Sequence, residues 1–416
     1  MRFRLKVGFR SLQALVLASG CAPFTCAAAS YKVIQNFVCG VKTSCYPSGP
    51  MVFDRHGNLY GSAEQGGVEN YGTVFELTQN PDDTWSETIL QSFDFANDGE
   101  YPRFGVVFDS VGNLYGTTSF RGGPLDLGTV FELVPEDSGW TIALLYDGGA
   151  GGAVVADNEG NIYGAIGAGN YKAGAVGELS PDPKGWTYNA LYSFCPLPNC
   201  ADGNDPWSPL ILDTAGDLYG TTQYGGNREL CFADQGGCGV AFQLSPNRDG
   251  TWTFHLMHAF AAFSGDGQTP SGSLVMDRNG SVYGTTLNGG PTGGGTVFKL
   301  TPSTLGRGWK ETILYTFPHC LSGCSPLHGL AIGQAGNLYG AAGGGNLQCG
   351  GGTYCGVVFE LSPQKGNQWT YTVVHKFNGT DGWGSDTPTV GPDGNIYGVT
   401  LYGGQNNQGV AYEITP

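Results

Sequence analysis

Apolar residues along this chain fall in short alternating runs, separated by glycine, asparagine, aspartate or proline. Runs rich in valine, threonine, tyrosine and phenylalanine between such turn residues predict β-strands rather than helices. The stretch GNLYG at residues 57–61 recurs in near copies along the chain. Its tyrosine returns as Tyr60, Tyr115, Tyr163, Tyr219, Tyr283, Tyr339 and Tyr397. A strand-rich unit repeated every 50–60 residues or so predicts a radial repeat architecture.

Each repeat contains four strand-like pieces. The first is a short apolar run, as at 106–109, and the second is the GNLYGTT piece, as at 112–118. The third reads GTVFEL, as at 128–133, and the fourth opens on tryptophan and ends on an aromatic, as at 85–93. Four antiparallel strands repeated seven times predict an all-β fold, a seven-bladed β-propeller of four-stranded blades.

The two ends of the chain predict how the ring closes. The last repeat stops at Thr415-Pro416, where other repeats continue into the tryptophan strand. Residues 33–37 (VIQNF) closely match residues 89–93 (ILQSF), which form a fourth strand. We therefore expect residues 30–38 to form the outer strand of the last blade, so that 30–416 is one domain without exposed sheet edges.

Residues 1–29 differ from the repeats. Four basic residues lie near the start, residues 11–24 are largely apolar, and residues 27–29 are alanines. This pattern predicts a secretory signal peptide, whose apolar part is too short to span a membrane. A lipoprotein signal is the alternative, because residues 18–21 (ASGC) imperfectly match the sequence at which a cysteine such as Cys21 is lipidated. Either signal predicts an extracellular, periplasmic or cell-surface protein, and no later stretch predicts a transmembrane segment.

The charge balance limits the partners. The chain of 416 residues has 19 basic and 35 acidic residues, and the first 29 residues contain four of the basic ones and none of the acidic ones. The remainder therefore has 15 basic against 35 acidic residues, a net charge of −20. Such a surface argues against nucleic acid or anionic membranes as partners and favours a soluble protein, which we expect to be a monomer.

Ten cysteines follow the predicted signal peptide, and they fall into five close pairs. The pairs are Cys39/Cys45, Cys195/Cys200, Cys231/Cys238, Cys320/Cys324 and Cys349/Cys355. An even number in an exported chain predicts disulfides, although the sequence leaves their connectivity open. Zinc is the alternative, but only His319, beside Cys320, supports it, so we predict no metal.

The cysteine pairs mark one face of the predicted disc. Three lie between a fourth strand and the next first strand, and two lie between second and third strands. In an up-and-down blade both kinds of loop emerge on the same side, here called the stapled face; the shorter turns form the opposite turn face. Elaborated loops on a rigid scaffold are where function is usually found.

Aromatic and polar residues on the stapled face are the candidate ligand-binding set. These residues are Arg103, Phe120, Arg121, Trp207, Tyr224, His328, Trp383 and Tyr402. Arg103, Trp207 and His328 precede innermost strands, so they should point towards the mouth of the central channel. Flat apolar faces beside hydrogen-bonding groups suit a glycan or a cell-surface protein as the partner.

Signals for catalysis are sparse, and no cofactor is predicted. The chain has no nucleophile-elbow, zinc-protease or phosphate-binding motif. His328 is a weak candidate for acid–base work with a nearby Asp202, Asp205, Asp266 or Asp381. A polysaccharide lyase or hydrolase at the channel mouth is therefore the alternative to a binding module.

The repeated motif residues have a structural interpretation. An aspartate precedes the first glycine of the motif by three residues in five repeats, as Asp54, Asp109, Asp157, Asp213 and Asp277. We expect it to cap backbone N–H groups in a turn where glycine has positive φ, with calcium binding as the alternative. The recurring tyrosines should pack between blades.

The phrase GNLYGTTxxGGxxxxGTVFEL, at 112–133, 216–244 and 280–300, resembles the bacterial tandem-repeat family GloVer (Gloeo/Verruco repeat). The resemblance covers residues 50–416 and implies an exported, sometimes anchored, surface protein with no established activity. The turn alone also resembles NHL-type and streptogramin-lyase propellers. The third repeat departs from the pattern at Val176-Gly177-Glu178 and at the glycine run 148–152.

Overall fold

The computed structural model describes residues 29–416, apart from 121, 123–126, 150, 227–228, 230, 232–235, 263–264, 304–307, 319, 321, 346 and 351–352. The signal-peptide and Cys21 predictions, and the candidate residues Arg121 and His319, therefore lie outside the described residues.

The described residues form thirty strands in seven antiparallel sheets. Blade 1 comprises β2 (Ser44–Phe53), β3 (Leu59–Gly66), β4 (Thr73–Gln79) and β5 (Trp85–Ser92). Blade 2 comprises β6 (Val106–Phe108), β7 (Leu114–Thr117), β8 (Thr129–Glu136) and β9 (Gly139–Asp147). Blade 3 comprises β10 (Val155–Ala156), β11 (Ile162–Ala165), β12 (Ala175–Asp182) and β13 (Gly185–Ser193). Blade 4 comprises β14 (Ile211–Leu212), β15 (Leu218–Thr222), β16 (Val240–Pro246) and β17 (Trp252–Ala259).

The remaining three blades follow the same order. Blade 5 comprises β18 (Gly267–Pro270), β19 (Val275–Met276), β20 (Val282–Gly289), β21 (Thr296–Pro302) and β22 (Trp309–Thr316). Blade 6 comprises β23 (Leu330–Ile332), β24 (Leu338–Ala342), β25 (Val357–Pro363) and β26 (Trp369–Lys376). Blade 7 comprises β27 (Trp383–Ser385), β28 (Thr389–Val390), β29 (Ile396–Tyr402), β30 (Val410–Thr415) and β1 (Ser30–Asn36).

The predicted seven-bladed propeller is therefore confirmed. In blades 1 to 6 the strands pair in sequence order from the innermost to the outermost, and in blade 7 β1 pairs on the outside of β30. Among the described residues, Pro198–Cys200 forms a 3-10 turn. No helix among these residues has the length and apolar character that crossing a bilayer would require.

The N-terminal strand closes the ring as predicted. β1 pairs antiparallel with β30, from Ser30 opposite Thr415 to Asn36 opposite Val410. Phe37, directly after β1, is fully buried, and its ring centroid lies 5.2 Å from that of Phe75 in blade 1. The start of the chain therefore completes blade 7 and packs against blade 1.

The repeated tyrosines pack between blades, as the sequence predicts. Each is nearly buried, and in six of the seven blades its ring meets the tryptophan that opens the outer strand of the next blade. These pairs are Tyr60/Trp140, Tyr115/Trp186, Tyr163/Trp252, Tyr219/Trp309, Tyr283/Trp369 and Tyr397/Trp85. Such contacts favour a fixed angle between neighbouring blades, since aromatic pairs contribute about 0.5–1.5 kcal/mol beyond area burial.

The turn chemistry is also confirmed. In blade 2, Asp109 Oδ1 accepts hydrogen bonds from the backbone N–H groups of Val111, Gly112 and Asn113. Gly112 has a φ of +101°, a conformation that a residue with a side chain rarely adopts. The other oxygen, Oδ2, accepts a hydrogen bond from the Tyr115 hydroxyl at 3.2 Å. The aspartate therefore holds both the turn and the tyrosine that contacts the next blade.

The second glycine of the motif makes room for a phenylalanine on the third strand in five blades and for Tyr412 in blade 7. A Cβ on Gly116 would lie 2.5 Å from Cζ of Phe131. Blade 3 lacks this phenylalanine, because Gly177 stands in its place. There the fully buried Ile166 and the ring of Tyr188, whose hydroxyl donates to the Ile166 carbonyl oxygen, fill the space. Blade 3 thus keeps its sheet register despite its divergent sequence.

Candidate functional site

Five disulfides lie on the stapled face. They join Cys39–Cys45, Cys195–Cys200, Cys231–Cys238, Cys320–Cys324 and Cys349–Cys355. Every bridge lies where an outer strand connects to the next innermost strand, or a second strand to a third, and Cys45 is the bridged cysteine that lies within a strand, at the start of β2. The predicted disulfides and their common face are confirmed, and five such bridges indicate an oxidising compartment.

In six of the seven blades the channel mouth is lined by residues five or six positions before the turn residue, which is the motif aspartate or its equivalent, Gly333 or Gly391. Arg103 in blade 2 and Trp207 in blade 4 stand six residues before the turn residue of their blade. His328 in blade 6 and Asp386 in blade 7 stand five residues before it. A cavity of about 340 Å³ opens there, lined by residues of every blade except blade 3. The three residues predicted to meet at the mouth all line this cavity.

His328 and Asp386 form an ion pair in this cavity. His328 Nδ1 lies 3.0 Å from Asp386 Oδ1, while the Gly49 N–H donates to Asp386 Oδ2 at 2.9 Å. Burial opposes charge on both groups, but the pairing prevails, raising the pKa of His328 and lowering that of Asp386. Because Asp386 holds Nδ1, the ring nitrogen Nε2 is the one that can interact with a ligand.

Arg103 provides a second polar group at the mouth. Its Nε lies 3.3 Å from Glu64 Oε1, and its guanidinium carbon lies 5.3 Å from the ring centroid of Tyr101 and 5.9 Å from that of Phe120. Burial raises the pKa of Glu64, with Arg103 opposing the shift and Asp386 adding to it. The cavity wall therefore combines the Asp386 carboxylate, the Arg103 guanidinium and the His328 imidazole, while Glu64 contacts Arg103 from outside the lining.

Trp207 lies between the mouth and a second depression. The side chain is 49% exposed, and it lines both the mouth cavity and a smaller cavity of about 270 Å³. The smaller cavity lies over blade 3, where its lining includes Gly148, Gly149 and Gly151. A Cβ on Gly152 would lie 2.8 Å from the Trp207 carbonyl oxygen. The glycine run of blade 3 therefore leaves room for the Trp207 backbone, and it leaves a shallow groove beside the Trp207 side chain.

The sequence profile of the Gloeobacter/Verrucomicrobia repeat matches residues 23–155, 145–354 and 232–416. The chain belongs to this repeat family. No curated protein matches the sequence of this repeat protein.

Solved structures similar to this repeat protein are distant in sequence. An ancestral GH74 enzyme is 10% identical with a TM-score of 0.58, covering 90% of this chain and 48% of its own. An oxidoreductase described as a glucose dehydrogenase from Thermus thermophilus is 15% identical over 93% of this chain and 100% of its own, with a TM-score of 0.45. A PQQ-bound aldose sugar dehydrogenase from Streptomyces coelicolor is 12% identical over 94% and 99%, also at 0.45. The first supports the propeller fold alone, and the other two superpose too loosely to bear on fold or function.

Three residues of the predicted ligand-binding set lie away from the mouth of this repeat protein. Trp383 and Tyr402 are cross-strand partners in blade 7, and their rings stack at 4.4 Å. Tyr224 is half-buried in a bridge to Asn204. Phe120 is exposed beside Arg103. The structure therefore brings together Arg103, Trp207 and His328, with Phe120 next to them, and places the others elsewhere on the stapled face.

The predicted partners of His328 are wrong. Asp202 accepts hydrogen bonds from the Tyr192 hydroxyl and the Cys195 N–H, and Asp205 lines the depression beside Trp207. Asp266 and Asp381 pair instead with His258 and His375 of the outer strands. These aspartates follow the outer strands and fasten the connecting loops.

The actual partner, Asp386, was missed although the repeat contains the signal. His328 and Asp386 both stand five residues before the turn position, at Gly333 and Gly391, in consecutive blades. An alignment of the repeats at that position would have placed the two side by side. Glu64 gave no such signal, because it contacts Arg103 from the second strand of blade 1.

Proposed function

We propose that this protein is an exported binding module that binds a carbohydrate at the channel mouth of the stapled face. The observation that carries the proposal is the half-exposed Trp207 between two cavities that hold polar groups along their walls. Pyranose rings have flat apolar faces that stack on aromatic rings, and their hydroxyl groups need directed hydrogen bonds. Arg103 and His328 supply donors, and Asp386 supplies acceptors.

The size and continuity of the two cavities also support a glycan. The mouth cavity of about 340 Å³ is within the usual range for a small ligand. The groove over blade 3 continues on the other side of Trp207, so an oligosaccharide could place one unit in each. The negative net charge favours a neutral or weakly charged glycan over a strongly acidic one.

Glycan-array screening followed by calorimetry tests the proposal. Trp207→Ala should abolish or strongly weaken binding of any glycan that the wild-type protein selects. Tyr171→Ala is the control, because Tyr171 is a 55%-exposed aromatic of a stapled-face loop outside both cavities. Absence of glycan binding, or equal weakening by both variants, would contradict the proposal. Capture of a surface protein in a Trp207-dependent way would replace the glycan with a protein partner.

A polysaccharide lyase or hydrolase is the second candidate, favoured by the His328–Asp386 pair. A carboxylate that holds Nδ1 orients an imidazole for general acid–base work through Nε2. Turnover of uronic-acid polymers and neutral polysaccharides, with His328→Gln as the variant, tests this activity. Turnover that survives His328→Gln would exclude His328 as the acid or base. Binding without turnover would support the binding module over the enzyme.

A further inference from the structure

The outer strands of neighbouring blades meet at equivalent positions around the rim of the disc. By strand register these contacts use equivalent positions, in which a residue near the end of one outer strand meets a residue near the beginning of the next. At four of these contacts the two residues are stacked rings, namely Tyr146/Tyr188, Tyr192/Phe254, Tyr315/Tyr371 and His375/Tyr31. At the contact between blades 4 and 5 the same positions hold His258 and Glu311, so ring stacking is replaced by ionisable groups.

A third ligand-type residue joins this contact. Asp266, in the loop that enters blade 5, has Oδ2 2.8 Å from His258 Nε2, and Glu311 Oε2 lies 3.3 Å from the same nitrogen. One ligand atom from each of the three residues lies within 4.8 Å of the others. The cluster therefore combines one imidazole nitrogen with two carboxylates from two different blades.

The cluster has more negative charge than its own imidazole can balance. Glu311 Oε1 is buried and has no hydrogen-bond partner among the described residues. A buried oxygen without a donor and two adjacent carboxylates both indicate that a positive group is missing from this contact.

We propose that His258, Asp266 and Glu311 bind a divalent transition-metal ion such as Zn²⁺ across the outer strands of blades 4 and 5. An imidazole and two carboxylates are a donor set that such ions accept, whereas Ca²⁺ and Mg²⁺ prefer oxygen alone. His258 Nε2 lies 2.8 Å and 3.3 Å from the two carboxylate oxygens, separations that suit ligands placed about 2.0–2.2 Å from one ion. The Ala261 N–H donates to Asp266 at 3.0 Å and so orients that ligand.

Solvent can reach the cluster from the rim, since 22% of the His258 side chain and 16% of the Glu311 side chain are exposed. An ion bound there would clamp two neighbouring blades. From the sequence we expected no metal, because zinc was an alternative only for the cysteine pairs. These three ligands are spread over residues 258–311, so no short motif reveals them.

Zinc binding to the metal-stripped, oxidised protein tests the proposal. Equilibrium dialysis with Zn²⁺ should give one bound ion that Glu311→Gln removes or weakens by more than the roughly 10–100-fold cost of losing an outer-shell partner. Glu87→Gln is the matched control, because Glu87 occupies the equivalent position in blade 1 but accepts hydrogen bonds from Gln35 and the Ser44 N–H. That variant should bind zinc as the wild-type protein does.

Two measurements guard against a misfolded variant or a different site. Glu311→Gln should melt like the wild-type protein in chelator, whereas added Zn²⁺ should raise the melting temperature of the wild type and of Glu87→Gln only. Co²⁺ should give visible absorption bands that Glu311→Gln loses. Zinc binding of equal affinity in Glu311→Gln, or none in the wild-type protein, would overturn the proposal.

Discussion

Replacing Phe37 by alanine tests whether the N-terminal strand holds the ring closed. Phe37 is fully buried, and its ring packs against that of Phe75 in blade 1. Removing a buried phenylalanine side chain costs about 3–5 kcal/mol, a large share of the roughly 5–15 kcal/mol that stabilises a typical protein. We expect Phe37→Ala to lower the free energy of unfolding by about 3–5 kcal/mol. Urea denaturation of the oxidised protein, followed by tryptophan fluorescence and circular dichroism, measures this loss.

Two control variants make that measurement decisive. Phe93 occupies the equivalent position in blade 1, is equally buried, and lies 5.1 Å from Phe131 of blade 2. If the ring unfolds as one unit, Phe93→Ala and Phe37→Ala should lose similar stability. Lys32→Ala changes an exposed side chain of the same N-terminal strand and should stay within about 0.5 kcal/mol of the wild type. Closure by this strand would be refuted if Phe37→Ala lowered the free energy of unfolding by less than about 1 kcal/mol while Phe93→Ala lowered it by the full amount.

Two further predictions concern the channel mouth and the repeated glycine. The raised pKa of His328 gives stability that is lost as pH rises through that pKa, and the lowered pKa of Asp386 gives stability that is lost as pH falls through it. The difference in unfolding free energy between the wild type and His328→Gln should therefore be largest between about pH 4 and 6.5, and a pH-independent difference would contradict this. Gly116→Ala should cost about 1–3 kcal/mol, because its Cβ would lie 2.5 Å from Phe131. Gly164→Ala in blade 3, where an aliphatic methyl at 3.0 Å is the nearest atom, should cost less, and equal thermal melts would count against this packing argument.

Most of the fold follows from the sequence because its determinants are local and repeated. The motif glycines, the turn aspartates and the alternating apolar residues act within one blade, so their spacing gives the strand order and blade count. The closing strand was recognisable because residues 33–37 repeat the pattern of residues 89–93. Even the common face of the disulfides followed from the alternation of strand direction within a blade.

The channel mouth was only partly predictable, because it depends on contacts between blades. His328 and Asp386 are 58 residues apart, and their pairing needs the angle that inter-blade packing gives to consecutive blades. Their positions just before an innermost strand correctly predicted that Arg103 and Trp207 lie at the mouth. The sequence could not show that Trp383 would pair with Tyr402 across its own sheet. Counting six positions back from the turn identifies Arg103 and Trp207 in the sequence. No such count identifies Glu64, which contacts Arg103 from a second strand.

The pairing of Ser30 with Thr415 has a consequence for how the protein is displayed. Both residues lie at the end of blade 7 where the third and fourth strands meet, which is the turn face. The chain thus enters and leaves the disc at one point, on the side remote from the disulfides. A tether attached at either end would orient the disc with its stapled face pointing away from the anchoring surface.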